Sequence, residues 1–286
     1  MPELTEHRLR IGDRDVTLLE GPAGWGECSP LRGYPSDPAV CRAAAEAAAC
    51  DGFPAPVRDT IPVNALVDGP FLVQEIRRYP AVKVKVRDAA GIALVAAVRE
   101  AVGPAMPIRV DANGTWAVDL AIEMIARLAR YDLEFVEQPV ASIDDLARVR
   151  RAVAVPIAAD ECIRSLDDAR AVRSAGAADL IVLKQQPLGG VRAALDVYDA
   201  VGVPAVVTSM METSVGIAAG VALAAALPEL PYACGLATLG ALAGDVTRSP
   251  LVPVDGAIAV RAVTPDADLL ARYEWSGADD SNEASR

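Results

Sequence analysis

Ala81-Val82-Lys83-Val84-Lys85-Val86 decides the reading of this chain, because it sets two cationic side chains into what is otherwise a buried strand. Val82, Val84 and Val86 suit a buried β-strand, and a period of two sends Lys83 and Lys85 together to the opposite face. Burying like charges side by side is costly unless the rest of the chain supplies partners. For these six residues alone, an edge strand with protective lysines on its solvent face is the competing reading.

Outward from this strand, other apolar runs also end in ionisable residues. Ile108-Arg109-Val110 ends at Asp111, Phe135-Val136 at Glu137, Ile157-Ala158-Ala159 at Asp160, and Leu180-Ile181-Val182-Leu183 at Lys184. Counted from Lys85, the intervals are 26, 26, 23 and 24 residues, each the length of a strand–helix unit. Five strands ending this way at one repeated interval describe a parallel barrel whose strand C-termini converge on a single site. Scattered surface charges would not keep that register, although a structural ion-pair network can imitate it. The expected fold class is α/β: a modified TIM barrel, (β/α)7β, with a small α+β capping domain at the N-terminus.

Composition agrees. A chain of 286 residues, 52% apolar but only 4% aromatic, can fill a barrel with Ala, Val and Leu and carry a small extra module. A net charge of −12 argues against nucleic acid or an anionic membrane as partner. The cysteines Cys28, Cys41, Cys50, Cys162 and Cys234 are odd in number and form no C-x-x-C pair, which fits reduced thiols. Residues 1–6 have neither the basic start nor the apolar core of a signal peptide, and the longest apolar run, 215–227, is too short to span a bilayer. A soluble, cytoplasmic protein is expected. The single histidine, His7, lies far from every strand end, so a general base has to be Lys, Asp, Glu, Cys or Tyr.

Along the chain, 7–20 reads as a hairpin turned at Gly12-Asp13, and Asp37-Pro38 opens an Ala-rich helix to about Cys50. The expected domains are 1–56, an α+β cap with a C-terminal return at about 250–275, and 57–249, the barrel, with 276–286 a disordered tail. The first barrel strand is expected over 61–67, the seventh over 204–209 and the eighth over about 233–237, while a β-like piece at 257–263 returns to the cap. Ser142 and Ser165, each followed three residues later by Asp, open helices.

Asp111, Glu137 and Asp160 offer hard oxygen ligands on three adjacent strands, a set suited to Mg²⁺. Without a cation, three converging carboxylates would repel one another. Asn113 and Glu161 orient ligands or serve as caps or solvent-facing groups. Lysine–lysine and lysine–metal repulsion, with desolvation, is expected to lower the lysine pKa values toward neutrality and make an amine available as base. Lys184 arrives on the sixth strand, across the mouth from the second. A cation between opposed lysines is an arrangement for moving a proton next to a carboxylate.

The pieces Gly24-Trp25-Gly26-Glu27-Cys28-Ser29-Pro30, Lys83-Val84-Lys85, Asp111-Ala112-Asn113, Glu137-Gln138-Pro139, Asp160-Glu161, Lys184 with Gly189-Gly190, and Ser209-Met210-Met211-Glu212 resemble, in order and spacing, the muconate-lactonising subgroup of the enolase superfamily. The resemblance covers about Gly21 to Val263 and implies an enolase-like fold. It implies Mg²⁺, with Mn²⁺ as a substitute, bound by Asp111, Glu137 and Asp160. It also implies a small-molecule carboxylate substrate: a succinyl-hydroxycyclohexadiene carboxylate that loses water in menaquinone biosynthesis. Lys85 would take the α proton and protonate the departing hydroxyl, Lys184 would stabilise the enediolate, and Lys83 would tune Lys85. Asn113, Ser209, Gly235, Trp25 and Arg32 are the candidates for holding the substrate. N-Succinylamino acid racemisation is the nearest rival, with a non-catalytic metal-binding barrel more distant. Dipeptide epimerisation is disfavoured because 235–239 carries no acid. A monomer is favoured, with a homo-oligomer left open.

Overall fold

The cap forms where the turn residues place it. In the computed structural model, which describes residues 3–275, β1 (Thr5–Ile11) and β2 (Arg14–Gly21) pair as a hairpin closed by Gly12-Asp13, and β3 (Gly24–Cys28) adds to β2 antiparallel. α1 (Pro38–Asp51) packs across them, its start fixed by Asp37, whose carboxylate accepts from the Ala39 N–H at 2.8 Å. A Cβ at Gly26 would stand 2.0 Å from the Ala45 carbonyl oxygen, so only glycine lets the helix lie this close to β3.

The barrel follows. β4 (Thr60–Pro62) leads into β5 (Ala65–Val67), β6 (Val82–Lys85), β7 (Ile108–Asp111), β8 (Leu133–Glu137), β9 (Ile157–Ala159), β10 (Leu180–Leu183) and β11 (Ala205–Val207). The last seven make one parallel sheet in chain order. Between and after them run α2 (Val73–Ile76), α3 (Gly91–Val102), α4 (Val118–Leu128), α5 (Ile143–Ala152), α6 (Leu166–Ala175), α7 (Val191–Val201) and α8 (Ser214–Ala226). Ser142 and Ser165 cap α5 and α6 as their spacing foretells. β6 lies between β5 and β7, which removes the edge-strand reading of its lysines.

The period of two sorts each strand. Val82, Val84 and Val86 are fully buried in the main core, whereas Phe135, Ala158, Leu180, Val182 and Val206 form a separate small cluster. Two residues beyond members of that cluster come Glu137, Asp160, Lys184 and Thr208, all lining one cavity. The same face of the strands thus runs from an apolar interior to a polar mouth, which is how alternation delivers the site.

Two expected strands differ. The stretch 61–67 is split: β4 pairs antiparallel with β12 (Ala257–Ala259), while β5 pairs with β6. The eighth strand shrinks to Cys234 and Gly235, which bridge residues 62–64 to β11. The Cys234 N–H donates to the Pro62 carbonyl at 2.7 Å, and the Gly235 N–H to that of Val207 at 2.8 Å. Gly235 lies so close to Thr208 that a Cβ would come within 2.8 Å of the threonine methyl. β12 thus pairs with β4 in a two-stranded sheet of its own and not with the cap sheet β1–β3. The return to the cap comes later, through α9 (Ala267–Tyr273) and the bridge from Glu274 to Leu9. The expected tail at 276–286 lies outside the described residues. The apolar run at 215–227 is α8, buried from Ser214 to Ala225. Among the described residues no helix is long and apolar enough to cross a membrane.

Candidate active site

Register lines up the charges: Lys85 stands beside Asp111, and Asp111 beside Glu137. The Lys83 ammonium donates to Asp111 Oδ2 at 3.0 Å and Glu137 Oε1 at 2.9 Å, and Lys85 donates to Asp111 Oδ2 at 2.6 Å and Asn113 Oδ1 at 2.9 Å. Four strands on, Lys184 donates to Asp160 Oδ1. These residues line one cavity of about 260 Å³ with Ser209 and Gly235.

The electrostatics correct one expectation. Burial pulls the Lys83 ammonium down, but Glu137 and Asp111 outweigh it and leave its pKa above the ordinary lysine value. Lys184 is likewise raised well above that value, because Asp160 and its neighbours overcome desolvation. Among the protein's own charges, the lowering expected from lysine–lysine repulsion is outweighed at these two lysines, since each ammonium sits on buried carboxylates. Burial pushes the Asp111 carboxyl up, yet Lys83 and Lys85 hold it below the usual range, whereas burial and Asp111 push Glu137 up.

The donor set fits a hard divalent cation. Asp111, Glu137 and Asp160 supply only carboxylate oxygens, and Glu137 Oε2 is buried with no hydrogen-bond partner, an acceptor a cation would satisfy. As they stand, no three acids among the described residues are grouped to ligate one ion; Lys83 bridges Asp111 to Glu137, and Lys184 pairs with Asp160. Gln138 positions Asp160: its Oε1 accepts from the Asp160 N–H at 2.7 Å, and its own backbone is held at φ 39°.

Two of the expected substrate contacts fall outside the cavity. Trp25 faces away on the cap sheet and stacks on His7, with ring centroids 5.3 Å apart. Arg32 has a side chain 86% exposed and lies 3.9 Å from Asp15, on the rim of an adjoining open groove. Tyr34, from the same cap loop, is the residue that reaches in. Its hydroxyl donates to Asp160 Oδ1 at 3.2 Å, and its ring lies 4.8 Å from the Lys184 ammonium. The aromatic between Gly33 and Pro35 was its only sequence signal. Arg109 was also missed. It is 1% exposed and donates to Glu134, Asn64 and the Ala233 carbonyl from inside the barrel.

Two motif acids do not reach the cavity and instead meet at the seam between cap and barrel. Glu27 accepts from Ser29 Oγ at 2.6 Å and from the Thr213 and Gly216 N–H groups that begin α8. Glu212 accepts from Gln186 Nε2 at 2.7 Å, and Gln186 Oε1 accepts from the Ser29 N–H at 2.8 Å. This network seats the loop that carries Tyr34 on the barrel mouth.

Residues 72–266 match the family described as enolase C-terminal domain-like, and residues 6–48 the one described as enolase N-terminal domain-like. The o-succinylbenzoate synthase of Thermobifida fusca is 54% identical, over 91% of this chain and 86% of that protein. That of Mycolicibacterium smegmatis is 45% identical, over 90% and 83%. The crystal structure of muconate cycloisomerase from Pseudomonas fluorescens superposes with a TM-score of 0.81 over 96% of this chain and 98% of its own. At 20% identity, that likeness is one of fold.

Proposed function

The chain belongs to the o-succinylbenzoate synthases of the enolase superfamily, and from that membership we propose how its residues carry out the reaction. The enzyme is a carbon–oxygen lyase that dehydrates 2-succinyl-6-hydroxy-2,4-cyclohexadiene-1-carboxylate to o-succinylbenzoate. One observation carries the mechanistic reading: Lys85 and Lys184 enter a single cavity from strands four positions apart in the barrel, with the carboxylate row between them.

Lys85, as the neutral amine, removes the proton α to the substrate carboxylate, and the C–H electron pair moves into the carboxylate as an enediolate. The pair then returns to the ring and expels the neighbouring hydroxyl, to which Lys85 gives its proton, so that water leaves and the ring becomes aromatic. Lys184 holds positive charge on the far side of the enediolate. Lys83, bonded to Asp111 and Glu137, keeps the carboxylate row in place and tunes Lys85. Asp111, Glu137 and Asp160 would hold Mg²⁺, or Mn²⁺ in its place, which when bound would supply positive charge that stabilises the enediolate. Ser209, Gly235 and Asn113 line the same cavity, which supports assigning them to hold the ring and succinyl tail. The cap, 1–56, closes over the barrel, 57–249.

The reading includes a monomer working in the cytoplasm on a small carboxylate of menaquinone biosynthesis, with no nucleic-acid or membrane partner. The test is ultraviolet detection of o-succinylbenzoate formed from the cyclohexadiene substrate, with Mg²⁺ and with EDTA. Mg²⁺-dependent turnover supports the reading. Absence of turnover, together with solvent-deuterium exchange into N-succinylamino acids, would favour racemisation by the same lysine pair.

A further inference from the structure

A lysine ammonium at the end of four rotatable bonds does not aim itself. In this site two acceptors grip Lys85, Asp111 Oδ2 at 2.6 Å and Asn113 Oδ1 at 2.9 Å. With two N–H bonds directed at those oxygens, the remaining position on nitrogen, proton or lone pair, is left for the cavity. The aim of the base therefore depends on Asn113 presenting its oxygen, and an exposed amide at the cavity rim has no preference of its own between its two ends.

Glu161 supplies the preference. Asn113 Nδ2 donates to Glu161 Oε1 at 2.9 Å. A carboxylate can only accept, so it binds the NH₂ end and turns the oxygen toward Lys85, whereas a flipped amide would set NH₂ against ammonium and oxygen against carboxylate. The backbone supports the same aim. Asn113 is in the left-handed region at φ 48°, Gly114 follows at φ 68°, and the Asn113 N–H donates to Asp111 Oδ1 at 3.0 Å. On Glu161 the bond to Asn113 engages Oε1, while Oε2 is buried without a partner.

We propose that Glu161 is a positioning residue for the catalytic base: through Asn113 it fixes the direction in which Lys85 takes and returns the proton. The inference rests on the synthase reading, and wild-type turnover tests that reading separately. Glu161 acts on the proton-transfer step rather than on substrate affinity, and it acts as an acceptor for an amide rather than as a charge.

The experiment is a double-mutant cycle with Glu161→Ala, Asn113→Ala and the pair, plus Glu161→Gln, each assayed with protiated substrate and with substrate deuterated at the α carbon. Glu161→Ala is expected to lower kcat by about tenfold to thirtyfold with KM changed by less than about twofold, and to raise the isotope effect on kcat. Asn113→Ala is expected to lower kcat by the same factor, any added rise in KM reporting its own contact with substrate, and the pair to have a kcat no lower than Asn113→Ala alone, because both changes remove one unit. Glu161→Gln keeps an acceptor oxygen for Asn113 and is expected to restore kcat to within about threefold of wild type. Glutamine as slow as alanine, losses that multiply in the pair, or a Glu161→Ala kcat equal to wild type would each overturn the proposal. If Glu161→Ala lacks a cooperative melt, Glu161→Gln and Asn113→Ala decide: a fast glutamine beside a slow alanine supports it, and a slow glutamine overturns it.

Discussion

Replacing Arg109 with methionine should weaken the closure of the barrel by an amount that can be worked from its contacts. Arg109 is 1% exposed and donates to the Ala233 carbonyl at 2.5 Å, to Asn64 Oδ1 at 3.2 Å and to Glu134 Oε2 at 2.6 Å, while its guanidinium lies 4.9 Å from the Phe135 ring centroid. Ala233 precedes the two residues that stand in for the eighth strand, and Asn64 follows β4, so this one side chain ties β7 to both sides of the seam. Methionine fills much of the same volume but donates nothing. The Ala233 carbonyl and Asn64 Oδ1 are then left buried without a donor, at about 2 kcal/mol each, and loss of the ring contact adds about 1 kcal/mol. Glu134 is part exposed and falls back on water, while removing a buried cation returns about 2 kcal/mol of desolvation. The balance is a loss of about 3 kcal/mol, a large share of a typical total of about 5–15 kcal/mol. Urea unfolding followed by circular dichroism should give a lower midpoint at an unchanged slope. A loss under about 1 kcal/mol, or a gain, would refute the claim that this guanidinium closes the barrel, since its desolvation would then cancel its bonds.

Glu27 ties stability to pH. Burial, and secondarily Glu212, raise its pKa from 4.5 to about 7, so the folded state holds the proton more tightly than the unfolded chain. Its contribution is fully present below pH 4.5 and is lost as pH rises through 7, by up to about 3 kcal/mol. Urea midpoints at pH 5 and pH 8 should therefore differ less in Glu27→Gln than in wild type. At Tyr34, phenylalanine keeps the ring beside Lys184 and should hold kcat/KM within about threefold, whereas alanine should cost about tenfold or more in steady-state assays. Mg²⁺ should give a saturable binding signal in calorimetry, and Glu137→Ala should remove that signal while leaving the far-ultraviolet circular dichroism unchanged.

The row Lys85, Asp111, Glu137, Asp160 and Lys184 was legible because an ionisable residue ending an apolar run has to be accounted for, and five of them at one interval leave few folds to choose from. Arg109 sits inside the same kind of run, and nothing local distinguishes a charge within a barrel from one at its mouth. Tyr34 lies in a loop, where no periodicity applies, and only the docking of the cap brings it to Asp160. Trp25 was misplaced because β3 turns it toward His7. The split at 61–67 follows from pairing with β12, a contact almost 200 residues away in sequence that no local pattern encodes. The lysine pKa direction needed distances: repulsion between Lys83 and Lys85 is plain in the sequence, while the bonds to Asp111 and Glu137 that outweigh it are plain only in three dimensions.

The most direct test of the central claim is the kcat of Lys85→Ala, measured with saturating Mg²⁺ and the cyclohexadiene substrate beside wild type. If Lys85 is the base that moves the proton, kcat should fall by about 10³-fold or more, with the protein still folded and still binding Mg²⁺. A Lys85→Ala enzyme within about tenfold of wild type would contradict the account and place the base elsewhere in the cavity.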